Sequence, residues 1–474
     1  MKRRGKIVAT LGPASQREEI LVELVNSGMN VVRLNFSHGT HDSYVQIIKT
    51  IRQIEAESGR PIGLIQDLQG PRIRTGDINQ DGILLQQDQS IILTTDSESS
   101  NNEIPIDFPD LPKIIKTKSR ILIDNGNIEI EVKKVQKNKI HGRVVVGGLV
   151  KSNKGINLPG TYLDIPTFTE KDKEDLAFGL KHEIDYLAVS FVREAQDITQ
   201  VRQAIEDLDP TKKNIPIIAK MERPEAIDNL EEIIKMADGV MVARGDLGVE
   251  MSPEIVPIAQ KNIIEAANRH GKIVITATQM LESMIEHPHP TRAEATDVAN
   301  AVFDGTDAVM LSGETAIGNY PIKTVETMDA IIQKSEENLK KWGRWQGTPH
   351  ETLGDDATSI TLAARELAHD RNVAAIVVFT ETGRTARLMS KARPGVPIIG
   401  FTPNQTTCRR MTLYWGVYPH MIPFANTMEE MLGHVDTAMI KTATVEPGQQ
   451  VVVITGFPVG TKKLPNLALL YTVS

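Results

Sequence analysis

The sequence predicts an α/β protein: a (β/α)8 barrel with an inserted all-β domain and a separate open α/β domain at the C-terminus. Three observations carry this prediction. Short apolar runs bounded by turn residues alternate with helical patterns, as expected for parallel strands covered on both faces. About eight runs occur before the composition changes, which is the number that closes a barrel. Polar residues stand at one end of nearly every run, and in a barrel those ends share one face.

The predicted barrel strands fall into a group of three and a group of five. They are Lys6 to Thr10, Asn30 to Asn35, Ile62 to Asp67, Tyr186 to Phe191, Pro216 to Glu222, Gly239 to Asp246, Ile273 to Thr278 and Ala308 to Glu314. The spacers between them have helix signals. Ser15, for example, precedes two glutamates and apolar residues at helical spacing, so it is predicted to cap the first helix.

The long gap between the two groups reads as an insertion. Helical patterning stops after Asp67 and resumes only near Glu170, while the residues between are strand-like and rich in turns. We therefore predict an inserted β domain at residues 71–166, and a barrel domain at residues 1–70 and 167–342. An insertion at the catalytic end of a barrel strand is well placed to act as a lid.

The final part of the chain predicts a third domain. Past Trp342 the composition shifts to linker residues, and helices then alternate with buried strands, which indicates an α/β regulatory domain at residues 343–474. Its first strand is followed by hydroxyls, a glycine and a helix start, a pattern that suits phosphate binding as well as an ordinary capped turn. The candidate effector phosphate loop is Thr380, Thr382, Gly383, Arg384 and Thr385.

Composition narrows the class of protein. The chain is 40% hydrophobic and 24% charged, with a formal net charge of −8, which argues against nucleic acid or an anionic membrane as the main partner. Cys408 is the single cysteine, so an intrachain disulfide is excluded. No apolar stretch approaches the ~20 residues that span a bilayer, and no signal peptide pattern is present. We expect a cytoplasmic protein without a membrane partner.

The most informative residues lie at the ends of the fifth and sixth runs. Lys220 and Glu222 are two positions apart, so their side chains leave one face of a strand. Asp246 follows a glycine at the end of the next run. Two carboxylates beside a lysine suit Mg²⁺, with Mn²⁺ as a substitute, and an anionic substrate. The alternatives are structural salt bridges with Lys220 or Arg244, and a lysine that forms a Schiff base.

Other strand ends offer groups for a phosphorylated ligand. Arg33 could grip a phosphoryl group, and Asn35 and Ser37 lie on the same face of the segment. Ala243 to Gly248 runs from a strand end into a helix start, where backbone N–H groups can bind an anion. Thr278 points a hydroxyl toward the same face and could relay a proton. Taken alone, each of these residues is better explained as a polar strand end or a helix cap, so the assignment depends on all of them together.

Together these motifs resemble the pyruvate kinase family over essentially the full chain. The matching segments include Lys6 to Pro13, Arg33 to Gly39, Gly70-Pro71, Lys154 to Gly160, Lys220 to Glu222, Ala243 to Gly248, Thr276 to Leu281 and Met310 to Thr315. The resemblance implies phosphoryl transfer from phosphoenolpyruvate to ADP, which gives pyruvate and ATP in the last step of glycolysis. It also implies a homotetramer, and a last domain that often binds a sugar-phosphate effector.

The resemblance also assigns roles to individual residues. Glu222 and Asp246 would hold the Mg²⁺, and Lys220 would stabilise the transition state. The remaining roles concern the two substrates. Phosphoenolpyruvate would be contacted by Arg33, Ala243, Gly245, Asp246 and Thr278, with Thr278 in the group that protonates the enolate, and the nucleotide side would be lined by Asn35, His38, Arg74 and Lys154.

One departure from the family pattern concerns K⁺. Many members hold this ion with residues that match Asn35, Ser37, Asp67 and a threonine, and they carry a glutamate after the Gly-Pro pair. Here Leu68 replaces the threonine and Arg72 replaces the glutamate. A leucine side chain cannot ligate K⁺, and a guanidinium supplies a fixed positive charge in its place. We predict that catalysis does not require K⁺; the alternative is that Arg72 is a surface hinge residue.

Two other functions use similar chemistry. A Mg²⁺-dependent barrel lyase or aldolase acting on pyruvate enolate would share the two acids, but it would not need the inserted β domain, Arg74 or Lys154. A metabolite sensor without activity would be expected to lose Lys220 or one of the acids, and all three are present.

Overall fold

The computed structural model describes residues 3–96, 103–161, 165–345, 347, 356–442, 445–460 and 463–474. The strands are β1 (Lys6–Thr10), β2 (Val31–Asn35), β3 (Gly63–Asp67), β4 (Ile73–Arg74), β5 (Ile83–Leu85), β6 (Ser90–Thr94), β7 (Glu103–Pro105), β8 (Arg120–Ile123), β9 (Ile128–Gln136), β10 (Lys139–Val146), β11 (Gly148–Val150), β12 (Gly155–Asn157), β13 (Tyr186–Val189), β14 (Ile217–Met221), β15 (Gly239–Ala243), β16 (Ile273–Ala277), β17 (Ala308–Leu311), β18 (Ala375–Phe379), β19 (Ile398–Thr402), β20 (Val417–Met421), β21 (Gln450–Thr455) and β22 (Leu467–Thr472).

The helices complete the succession of elements. They are α1 (Glu18–Asn26), α2 (His41–Ser58), α3 (Leu111–Ile114), α4 (Glu170–Lys181), α5 (Ala195–Leu208), α6 (Pro224–Asp228), α7 (Leu230–Met236), α8 (Arg244–Glu250), α9 (Val256–Arg269), α10 (Arg292–Asp304), α11 (Gly313–Ala316), α12 (Pro321–Glu336), α13 (Leu339–Trp342), α14 (Asp356–Arg371), α15 (Arg384–Ala392), α16 (Gln405–Met411) and α17 (Met428–Thr442). Within the described ranges, no helix is both long and apolar enough to cross a bilayer.

Eight parallel strands close a barrel, which confirms the predicted fold class. Their order around the barrel is β1-β17-β16-β15-β14-β13-β3-β2. These strands are almost entirely buried because helices cover the outer face and side chains fill the interior. The carboxyl ends of all eight strands therefore open onto one mouth.

Several boundaries differ from the sequence prediction at the mouth. β15 ends at Ala243, so Asp246 lies in the first turn of α8 and not in a strand, and Glu314 lies in α11. The apolar run ends where backbone N–H groups begin to bond within a helix, a change that side-chain patterning does not mark. The predicted Ser15 cap is wrong: α1 is preceded by Arg17, and the Ser15 hydroxyl accepts the Gly12 N–H at 3.2 Å.

The strand-like insertion forms its own sheets between β3 and α4. Seven strands pair in the order β4-β12-β8-β9-β10-β6-β7, and β11 pairs with β5. They enclose a separate apolar cluster that contains Leu93, Ile121, Ile130 and Ile140. We retain 71 and 166 as proposed limits of this β domain.

The C-terminal region is an open sheet of order β20-β19-β18-β21-β22, in which only β22 runs antiparallel to its neighbour. β20 and β22 were not predicted. The sheet packs at the amino ends of the barrel strands: Lys6 Nζ donates to the Val417 carbonyl at 2.6 Å, and the Tyr186 hydroxyl donates to the Arg410 carbonyl at 2.5 Å. This region therefore lies at the end of the barrel opposite the mouth.

Candidate active site

Lys220 and Glu222 meet at the end of β14, as the spacing of two residues predicts. Their Nζ and Oε1 atoms are 2.9 Å apart, and both side chains are almost fully buried. The other Glu222 oxygen accepts the Phe191 N–H at 2.8 Å, and Phe191 has a left-handed φ of 56°. Lys220 also donates to the Ser190 hydroxyl at 2.6 Å. The side chains are thus held in place from the neighbouring β13 end.

Asp67 lies between two cationic side chains. Its Oδ2 accepts from Arg33 Nε at 2.6 Å, and its Oδ1 is 3.2 Å from Lys220 Nζ. The Asp67 side chain has no exposed surface. Arg33 also donates to the Thr10 hydroxyl at 3.0 Å. The two cations are therefore fixed by one buried carboxylate at the floor of the mouth.

The pKa shifts reflect this arrangement of charges. Burial alone would lower the pKa of Lys220, but the Asp67 and Glu222 carboxylates outweigh burial, so the pKa is raised. Burial alone would raise the pKa of Asp67, but Lys220 and Arg33 hold it below its usual range. Burial raises the pKa of Glu222; Lys220 opposes this rise, and the nearby charge of Asp246 adds to it. The lysine is therefore a permanent cation at neutral pH.

Asp246 faces the same mouth from α8. It acts on the pKa of both Glu222 and Lys220, so the three predicted residues converge. Its Oδ1 is 3.8 Å from Arg72 Nη2, and its side chain is 23% exposed, which leaves it open to a ligand. Arg244 pairs instead with Asp297, at 2.5 Å between Nη1 and Oδ2. The alternative of a salt bridge to Arg244 is therefore wrong, whereas the salt bridge to Lys220 is present in its pair with Glu222.

Thr278 is held from two sides at the end of β16. Its hydroxyl accepts the Gly245 N–H at 2.7 Å, and its carbonyl accepts Arg244 Nη2 at 2.7 Å. Arg244 also reaches the carbonyls of Ala277 and Gln279, at 3.3 and 3.1 Å. Thr278 and Gln279 both have left-handed φ angles, of 66° and 54°, a conformation that costs free energy in residues with a side chain. Arg244 stabilises this strained turn.

Basic residues from the β domain face the loop after β2. The pKa of His38 is lowered, first by partial burial and then by the charges of Arg74, Arg72 and Arg33. Arg74 donates to the Asn153 carbonyl at 3.1 Å. These cations form the electropositive side of the mouth that an anionic ligand would meet.

The other residues predicted on this side have local partners. The Asn35 side chain accepts the Ser37 N–H at 3.3 Å, and both residues are half-buried. Lys154 pairs with Asp124 at 2.7 Å within the β domain. The Lys154 head group would have to leave Asp124 to reach a nucleotide.

The chemistry of the donor set fits one divalent cation. Within the described ranges, no group of three or more His, Cys, Asp or Glu side chains is arranged to hold a metal. Glu222 and Asp246 are, however, two carboxylates close enough for one to raise the pKa of the other. A cation between them would relieve that repulsion, and Mg²⁺ normally completes its octahedron with substrate oxygens and water.

The candidate effector phosphate loop lies in the C-terminal sheet region, opposite the mouth. The Thr380 hydroxyl accepts the Gly383 N–H at 2.9 Å, and Gly383 has a φ of 85° just before α15 begins at Arg384. Thr382 and Thr385 line the same cavity of about 220 Å³. Lys462 and Lys463, two basic residues of the final loop, are further candidates for phosphate contacts; Lys463 lines this cavity, whereas Lys462 lies outside the described residues.

Sequence reasoning missed several supporting contacts. Ser190 and Arg244 lie in the predicted runs Tyr186 to Phe191 and Gly239 to Asp246, but nothing in the sequence showed that they would contact Lys220 and the Thr278 carbonyl. Thr10 was read only as the end of a strand. These contacts join residues 23 to 34 positions apart or on neighbouring strands, so only the strand order reveals them.

Comparisons with known proteins agree with this geometry. Residues 2–325 match the family model of the pyruvate kinase barrel domain, and residues 358–470 match that of the pyruvate kinase alpha/beta domain. Similar proteins named pyruvate kinase come from Geobacillus stearothermophilus (43% identical, covering 100% of this chain and 81% of that one), Sporosarcina psychrophila (42%, covering 99% and 80%) and Agrobacterium vitis (41%, covering 98% and 97%).

Proposed function

Because this chain belongs to the pyruvate kinase family of phosphotransferases, we propose that it transfers the phosphoryl group of phosphoenolpyruvate to ADP, giving pyruvate and ATP. The observation that carries the proposal is the buried network Arg33–Asp67–Lys220–Glu222 beside Asp246. It combines two fixed cations with three acids at a barrel mouth; Asp67 fixes the cations, and Glu222 and Asp246 remain to hold a divalent cation beside a multiply charged phosphoryl donor.

Each side chain has a distinct task in this proposal. The phosphorus–oxygen bond to the enol oxygen breaks, and a new bond forms to a β-phosphate oxygen of ADP. Lys220 and Arg33 offset the negative charge of the group in transfer. The enolate that remains takes a proton at its methylene carbon, and Thr278, held by Gly245 and Arg244, orients the donor of that proton. The backbone at Ala243 to Asp246, where α8 begins, would receive the substrate carboxylate, and the Gly245 N–H would have to turn from the Thr278 hydroxyl to take part.

Glu222 and Asp246 would hold the divalent cation. When bound, Mg²⁺ or Mn²⁺ supplies positive charge that neutralises the substrate oxygens. His38, Arg74, Lys154 and Asn35 would line the nucleotide side, and the β domain would exclude water that otherwise accepts the phosphoryl group.

We also propose that activity does not require K⁺. Leu68 is 1% exposed and packs in the apolar cluster of the barrel, so it offers nothing to a cation. Arg72 Nη2 lies 3.8 Å from Asp246 Oδ1, and the charge of Arg72 helps to lower the pKa of His38. Arg72 therefore places a permanent positive charge at the mouth. Both carboxylate oxygens of Asp67 already face Arg33 and Lys220.

Regulation by a phosphorylated effector is the remaining part of the proposal. The candidate effector phosphate loop combines the N–H groups of a helix start with threonine hydroxyls beside a cavity large enough for part of a sugar phosphate. The homotetramer and the cytoplasmic location stay predictions from the resemblance.

The direct test is formation of ATP and pyruvate from phosphoenolpyruvate and ADP. Equal amounts of both products are expected, and their formation should depend on Mg²⁺ or Mn²⁺. A barrel lyase or aldolase would consume or release pyruvate enolate without making ATP. Pyruvate formation with no ATP would therefore reject the proposed transfer and favour that second function.

A further inference from the structure

A buried carboxylate lies one helical turn beyond Asp246. Helix α8 has seven residues, with Asp246 in its first turn and Glu250 as its last residue. The Glu250 side chain is 2% exposed; its Oε1 accepts the Asn157 side-chain N–H at 2.8 Å, and its Oε2 is 3.0 Å from Arg223 Nη1. That Arg223 contact is an ion pair without the alignment of a hydrogen bond.

Arg223 is the residue directly after Glu222. Its side chain is 6% exposed, and longer contacts of 3.4 Å join Nη2 to the Thr161 carbonyl and to the carboxylate of Glu225, which is 28% exposed. The Arg223–Glu250 ion pair therefore connects the segment that carries one acid of the mouth to the helix that carries the other. A charged pair with so little exposure has a fixed geometry, since separating it would leave a buried charge without a partner.

Asn157 connects this ion pair to the β domain. It ends β12, which pairs with β4 and β8 in the seven-stranded sheet. A displacement of β12 would move the Asn157 amide and thereby the carboxylate of Glu250. A displacement of β12 would thus be transmitted to both Glu222 and Asp246.

Packing around these groups is incomplete. A cavity of about 30 Å³ is lined by Asn157, Arg223 and Glu250 together with Phe191 and Arg193. This is room for about one water molecule, so apolar packing alone does not fix the position of α8 here. The polar contacts of Glu250 with Asn157 and Arg223 therefore have to fix the position of α8.

We propose that Arg223, Glu250 and Asn157 are positioning residues that set the separation of Glu222 and Asp246 and make it depend on the position of the β domain. The proposal rests on the proposed function, since it takes Glu222 and Asp246 to be the ligands of the divalent cation. None of the three residues needs to touch that cation. Arg223 acts through the segment that carries Glu222, and Glu250 acts through the helix that carries Asp246. Asn157 acts through the β domain.

Direct binding of Mn²⁺ to the full chain, measured by electron paramagnetic resonance without substrates, tests the proposal. Glu250→Gln keeps the shape of the side chain and removes its charge, and Arg223→Met removes the partner charge. Each is expected to weaken Mn²⁺ binding by about 10-fold, the effect typical of removing a group that orients a metal ligand. Arg223→Lys keeps the charge and should recover most of the affinity.

Two further variants separate positioning from a general loss of structure. Arg223→Met with Glu250→Gln leaves no unpaired buried charge, so it should fold at least as well as Arg223→Met and still bind Mn²⁺ about 10-fold more weakly. Arg193→Met is the matched control, because Arg193 donates to the Ile165 carbonyl at 2.8 Å and so joins the β domain to the barrel through a different segment. The affinity of this variant for Mn²⁺ should stay within about two-fold of the affinity of the parent protein.

Asn157→Leu tests the link to the β domain. Parent protein should bind Mn²⁺ more tightly when ADP is present, whereas the variant should lose most of that gain because its β domain no longer pulls on Glu250. Full Mn²⁺ affinity in Glu250→Gln and in the double variant would overturn the proposal. Full affinity in Glu222→Gln and Asp246→Asn would overturn the assigned cation site as well, so the two failures are distinguishable.

Discussion

Asp67 and Lys220 lie on barrel strands separated by β13, and their side chains meet across it with 3.2 Å between Oδ1 and Nζ. Ser190, at the end of β13, accepts a hydrogen bond from the same ammonium group. A lysine held by two strands and by Glu222 has little freedom, so its charge is already in position before substrate binds.

Replacing this lysine should abolish turnover. Lys220→Met is expected to lower kcat by about 10³-fold or more, because the charge that offsets the phosphoryl group is lost in a site that excludes water. The measurement is coupled pyruvate formation, with thermal unfolding followed by circular dichroism. Lys6→Met is the matched control, since Lys6 is also a buried strand lysine but lies at the opposite end of the barrel. Retained turnover in Lys220→Met would contradict the assigned role.

Activity in buffer free of Na⁺ and K⁺ should equal activity with added K⁺. The reason is that Arg72 supplies a permanent positive charge near Asp246. Arg72→Glu replaces that charge with a carboxylate and should produce a protein that K⁺ activates several-fold, while Arg72→Lys should stay independent of K⁺. A many-fold activation of the parent protein by K⁺ would rule the prediction out.

The pH dependence of stability should change when Lys6 is replaced. Burial lowers the pKa of Lys6 to about 7, from an unfolded value near 10.5, so between these pH values the unfolded chain binds a proton that the folded protein does not. This group therefore costs stability as the pH falls from about 10.5 to 7, and the cost is constant at lower pH. Lys6→Met should raise the unfolding temperature most at pH 7 and below. An increase in unfolding temperature that is as large near pH 10.5 as at pH 7 would contradict this account.

The sequence predicted those parts of the site that follow from the local period of a strand. Lys220 and Glu222 alternate on one face, and this alone placed both at the mouth. The helix-capping pattern gave a wrong prediction for Ser15, because the Ser15 hydroxyl accepts the Gly12 N–H and does not cap α1. Contacts between strands, such as Lys220 with Ser190, depend on the order of strands around the barrel, which no local pattern encodes.

Arg244 should be important for turnover, although its neighbour Asp246 and not Arg244 is assigned to the cation. Arg244→Met removes the donors that hold the left-handed Thr278–Gln279 turn, so the Thr278 hydroxyl would shift from its place against Gly245. A misplacement of about 1 Å typically costs 10²-fold in rate. We expect kcat to fall by about that factor with a smaller change in KM. Asp297→Asn, which weakens only the support of Arg244, should give an intermediate effect. Unchanged kcat in both variants would show that the turn holds itself.

A phosphorylated effector should act through the candidate effector phosphate loop. Thr382→Asp places a negative charge beside the start of α15, where a phosphate would meet the N–H groups of the helix, and like charges repel at close range. Activation by a panel of sugar phosphates, measured as the fall in the KM for phosphoenolpyruvate, should therefore be lost or weakened by at least about 10-fold. Thr437→Asp adds the same charge on exposed α17 and should leave the response intact. Equal activation of both variants would place the effector elsewhere.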